Sequence, residues 1–83
     1  MPKQRGETPV IMRAATQQYI ASYTSGNNVE FEGFSDPGTS EGDAKWLIVK
    51  HTYNSDNFLT NSKYAGGADF VNIWTNRASL TYQ

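Results

Sequence analysis

The chain has no cysteine. No disulfide can staple it, and no thiolate can hold a metal. It has one histidine, His51. A zinc site would therefore need carboxylates alone to complete it. Charged residues are 18% of the chain and the net charge is -1. That balance lacks the basic footprint of a nucleic-acid or membrane-surface binder. No run of about 18 apolar residues occurs, so no transmembrane helix is expected. The first residues are polar and lack an apolar signal-peptide region. These absences lead us to expect a cytoplasmic setting, or a particle assembled in the cytoplasm.

Eighty-three residues make one domain at most. A chain of this size buries only about 60–65% of its unfolded surface. Without staples, large side chains must supply the core, and 13% of residues are Phe, Trp or Tyr. Small unstapled domains also turn to oligomerisation for stability.

The longest apolar stretch is Ala44-Lys-Trp-Leu-Ile-Val-Lys-His-Thr-Tyr53. β-Branched and aromatic residues fill it, and turn residues bound it on both sides. It reads as the central strand, with Trp46 and Ile48 on one face and Leu47, Val49 and Tyr53 on the other. Residues 17–24 and 28–34 read as a hairpin around Ser25-Gly26-Asn27-Asn28. In its second arm Val29, Phe31 and Gly33 alternate with Glu30 and Glu32, which would guard an edge. Residues 58–64 read as a weaker edge strand. Phe70, Ile73 and Trp74 lie at helical spacing after Asp69, which predicts a short helix over 69–76. Ala78, Leu80 and Tyr82 alternate as a last strand. No internal repeat stands out.

The expected fold is therefore all-β or mostly β: a small five-stranded antiparallel barrel or sandwich with one short helix. Residues 14–83 would form the domain. Its expected core is Phe31, Trp46, Ile48, Phe70, Ile73, Trp74, Arg77, Leu80 and Tyr82. Residues 1–13 read as an extended arm, kept irregular by Pro2, Pro9 and Gly6. The arm carries Lys3, Arg5, Val10, Ile11, Met12 and Arg13, the residues expected to bind a partner. It is basic, whereas residues 30–43 hold five carboxylates and no base. Three readings fit this asymmetry: head-to-tail contact between copies, docking on a larger charged surface, or ordinary solvated loops.

No catalytic constellation is marked. His51, beside Lys50, reads as a surface or packing residue. Gly66-Gly67 is not a phosphate loop, and Ser79 and Thr81 lack a histidine at any marked spacing. Tyr19, Tyr23, Phe31 and Phe34 would suit base stacking, but Glu30 and Glu32 beside them repel phosphates. Trp74 and Arg77, three apart, fit either a partner hot spot or a guanidinium stacked on an indole. We expect no enzyme activity, cofactor, metal, nucleic acid or membrane.

Several segments together resemble a known group. They are Val29-Glu-Phe-Glu-Gly-Phe34, Pro37-Gly38-Thr39-Ser40 leading to Asp43-Ala-Lys-Trp-Leu-Ile-Val-Lys50, Tyr53, and Asp69-Phe-Val-Asn-Ile-Trp-Thr-Asn-Arg-Ala-Ser-Leu-Thr-Tyr82. From Tyr19 onward the chain resembles short tailed-phage proteins described as virion-associated or hypothetical. The Trp74-x-x-Arg77-Ala-Ser-Leu-Thr-Tyr82 ending is its most specific part. The resemblance implies a structural or accessory component of the phage head, neck or tail, docked on other virion proteins in many copies or as a homo-oligomer. A second expectation is an adhesin-like or fibre-adaptor module that binds a cell-surface glycan or protein.

Overall fold

The structure, a computed structural model, describes residues 17–83. The expected arm, with Lys3, Arg5, Val10, Ile11, Met12 and Arg13 that were expected to bind a partner, lies outside the described residues, as do 14–16. Four antiparallel strands follow one another: β1 (Gln18–Tyr23), β2 (Val29–Ser35), β3 (Leu47–Tyr53) and β4 (Leu59–Tyr64). They pair in the order β1-β2-β3-β4. This is an open sheet and not a closed barrel, and among the described residues there is no fifth strand.

The stretch expected to be that strand, 78–82, is built otherwise. Residues Trp74–Ser79 form a 3-10 helix, so Ala78 and Ser79 are helical. The Ser79 hydroxyl donates to the Asn76 carbonyl at 3.1 Å, a local bond that competes with strand pairing. Only an isolated bridge remains, Tyr82 to Ala65, with Gln83 and Tyr64 exchanging two backbone bonds. The helix also starts five residues later than the spacing after Asp69 predicts. Asn72 and Trp46 exchange backbone bonds at 2.9 and 3.1 Å, which hold Asn72 extended. Phe70 is 47% exposed and does not join the core. Its spacing to Ile73 and Trp74 has no helical meaning.

The two hairpin turns are copies of each other, which the sequence reading did not find. In Tyr23-Thr-Ser-Gly-Asn27 and Tyr53-Asn-Ser-Asp-Asn57, the asparagines have φ of 68° and 66°. Each turn closes with the same backbone bonds, Asn27 N–H to Thr24 and Asn57 N–H to Asn54, at 3.0 Å. The Thr24 hydroxyl accepts from the N–H groups of Gly26 and Asn28. The Asn54 amide oxygen accepts from those of Asp56 and Phe58. Side-chain acceptance of this kind favours a tight turn, and asparagine tolerates the left-handed region. The Asn28 amide donates to that of Asn57 at 3.2 Å, tying the turns together.

Each hairpin has a bulge beside its turn. Ser22 pairs with Phe31 but Tyr23 with Val29, so Glu30 is the extra residue. The clean alternation expected over 29–34 breaks there. β2 is an inner strand, so its glutamates guard no edge.

The core sits on one face of the sheet. Trp46, Ile48 and Ala65 are fully buried, and Phe31 and Trp74 nearly so. Ile20, Leu80 and Tyr82 pack against them, and Ile73 is half-buried. The indoles of Trp46 and Trp74 lie 6.0 Å apart, and the rings of Phe31 and Tyr82 5.8 Å apart, both tilted. Such pairs add about 0.5–1.5 kcal/mol each beyond burial. Arg77 lies 4.6 Å from the Trp74 ring centroid, donates to the Trp74 carbonyl, and has its own carbonyl bonded by the Tyr82 hydroxyl. It serves to lock the last turn of chain onto the sheet.

Candidate functional site

Among the described residues, the C-terminal segment covers one face of the sheet and nothing covers the other. Alternate residues share a face, and the register places Tyr19, Glu32, Phe34, Val49, His51, Ser62 and Tyr64 together on the open one. Tyr19 and Phe34 are cross-strand partners with rings 5.3 Å apart. Val49 is buried among its neighbours, but Tyr19 and Tyr64 are 52% and 42% exposed. Tyr23 and Leu59, beside the two turns, are also exposed.

A line of hydrogen bonds crosses all four strands on this face. The Tyr19 hydroxyl donates to one Glu32 oxygen at 2.6 Å. The other Glu32 oxygen meets His51 Nε2 at 2.5 Å. His51 Nδ1 meets the Ser62 hydroxyl at 2.7 Å. An ionised carboxylate only accepts, so Nε2 carries a proton toward Glu32. In the neutral ring Nδ1 is then the acceptor, and Ser62 donates to it.

The electrostatics follow from this order. Partial burial by itself would raise the Glu32 carboxyl. The Tyr19 hydroxyl and the His51 ring outweigh it and hold the carboxyl below its ordinary range. The bond to Glu32, with its charge and partial burial, pushes Tyr19 up to about 12. The line therefore keeps Glu32 charged and Tyr19 protonated near neutral pH.

Serine, histidine and glutamate in this order also resemble the activated-nucleophile pattern. Acyl transfer further needs a pocket and aimed oxyanion donors. Two described cavities lie elsewhere: one lined by Gln17, Asp36, Lys45 and Phe70, the other by Lys50, Thr52, Asn61, Lys63, Leu80 and Tyr82. Neither includes Ser62, His51 or Glu32. The line orients four side chains and joins four strands on an exposed surface.

Sequence reasoning set His51 aside as a surface or packing residue and did not connect it with Ser62 or Glu32. The link depends on register. His51 faces Ser62 directly, whereas Glu32 faces Val49 and reaches His51 diagonally. The only early signal was the five-residue turn Asn54 to Phe58, which sets how β3 and β4 align. Among the described residues, no group of three His, Cys, Asp or Glu converges on a metal position, and no helix is long and apolar enough to cross a membrane. No protein-family model, curated protein or solved structure matches the chain.

Proposed function

We propose that the chain is a structural or accessory module of a bacteriophage particle, working by protein–protein docking rather than catalysis. The observation that carries the docking role is the open sheet face. Its tyrosines stay exposed while the C-terminal segment closes the opposite face. Tyrosine is enriched at interfaces because its ring is apolar and its hydroxyl still bonds. The hydrogen-bonded line holds Tyr19 and His51 in place, which lowers the entropy cost of docking. A stable contact hides about 800 Å² per partner, more than the tyrosines alone supply, so the basic segment 1–13 takes part.

The virion setting rests on the resemblance over residues 19–82. In this reading the chain assembles in the host cytoplasm with head, neck or tail proteins, as a homo-oligomer or in many copies on a lattice. The test is deletion of residues 1–13 together with a separate Tyr19→Ala, Tyr64→Ala variant. Both remain folded and neither enters particles or oligomers. Normal incorporation of both overturns the proposal.

Exposed tyrosine rings beside hydroxyl, imidazole and carboxylate groups also suit a sugar face. This favours, as a second reading, an adhesin-like or fibre-adaptor module for a cell-surface glycan. Glycan-array binding that is lost in the Tyr19→Ala, Tyr64→Ala variant would select it.

A further inference from the structure

We propose that the groove between β3, β4 and the C-terminal segment binds a tetrahedral oxyanion, a phosphate or sulfate group. The groove has a volume of about 260 Å³ and is lined by Lys50, Thr52, Asn61, Lys63, Leu80 and Tyr82. It lies on the covered side of the sheet, past the end of the aromatic core.

Register makes the site. Lys50 pairs directly with Lys63, and Thr52 with Asn61, on alternate rungs of one antiparallel ladder, which puts all four on the same face. Like charges directly opposite each other destabilise a sheet unless something lies between them. The one ion pair among the described residues joins His51 to Glu32, so neither lysine is neutralised that way. The Lys50 ammonium is braced 5.9 Å from the ring centroids of both Phe31 and Tyr82. The Tyr82 hydroxyl donates its hydrogen bond to the Arg77 carbonyl. Arg77 and the bulge residue Glu30 are the other charges acting on Tyr82.

The donors decide the ligand. Two ammonium groups, a hydroxyl and an amide from two alternate rungs line the groove. A planar carboxylate offers two oxygens to such a set, whereas phosphate and sulfate offer at least three. Ammonium-to-phosphate bonds are charge-assisted and strong for their size.

The test is a titration of the full chain with inorganic phosphate, followed by NMR at constant ionic strength against sodium chloride. Saturable shifts centred on Lys50, Thr52, Asn61 and Lys63 are expected. Lys63→Gln, on the exposed edge strand, weakens binding about tenfold, the loss of one charge-assisted bond. Glu30→Gln tightens it. Methyl phosphate separates the two sources: equal binding assigns the groove to a phosphomonoester on a larger molecule, and weaker binding to the free ion. Shifts matched by chloride, no effect of Lys63→Gln, or acetate binding as tightly as phosphate would each overturn the proposal.

Discussion

Trp74 packs directly against Gly33. A Cβ added to Gly33 would come within 2.7 and 2.8 Å of the indole atoms Cε3 and Cζ3, and 3.0 Å from Ile20 Cγ2. The glycine is there for the space it leaves, and its place in the middle of β2 is otherwise unfavourable. Gly33→Ala should destabilise the fold by about 1–3 kcal/mol through overpacking. Trp74 cannot retreat, because Trp46 and Arg77 hold it on other sides. Urea denaturation of Gly33→Ala, Trp74→Leu and the double variant checks this. The two losses should be strongly non-additive, as for residues in contact.

Asn72 ties three segments together. Its buried amide donates to the carbonyls of Trp46, Ala65 and Asp69 at 3.2, 3.3 and 3.1 Å. Asn72→Ala leaves those carbonyls short of donors and should cost about 1–3 kcal/mol. Asn72→Asp should cost more, since it sets a carboxylate against the same oxygens. Thermal melts of the two variants give the order.

The twin turns predict twin responses. Asn27→Ala and Asn57→Ala each force an ordinary side chain into the left-handed region, at about 1 kcal/mol each. Glycine at either position should restore most of that loss. Equal denaturation midpoints for the two alanine variants are the expected result. A difference confined to Asn57→Ala would trace to its bond with Asn28.

At high pH, two tyrosines should ionise late. Burial raises Tyr82, Glu30 adds to the rise, Arg77 opposes it, and the result is about 12. Tyr19 reaches about 12 chiefly through its bond to Glu32. The folded state holds both protons more tightly than the unfolded chain does. Their contribution to stability is therefore complete below the ordinary value of 10.0 and is lost as pH rises toward 12. Absorbance titration should show two of the five tyrosines delayed, and Tyr82→Phe should remove one of them.

At low pH the sign reverses. Glu32 sits below its ordinary value of 4.5, so its contribution is present above that value and lost as pH falls through the lowered one. Glu32→Gln should flatten this acid limb in denaturation curves. The effect should stay under about 1 kcal/mol, because the pair is partly exposed and screened.

Composition and local pattern determined much of this protein. Four strand segments, the positions of both turns, and the placement of Trp46, Ile48 and Phe31 in the core were legible from alternation, turn residues and spacing, whereas Arg77 stacked on Trp74 was one of two readings that the spacing allowed. These are short-range effects, set by which side chains a pleated strand presents and which residues a turn tolerates. Tertiary structure alone decided the rest. The helical spacing after Asp69 lost to a backbone pairing between Asn72 and Trp46, residues 26 positions apart. The first part of the expected fifth strand is a 3-10 helix instead, with Trp74 at its start packed against Gly33 of β2. The line from Tyr19 to Ser62 and the facing lysines exist only once register is fixed, since a shift of one residue would send each side chain to the opposite face.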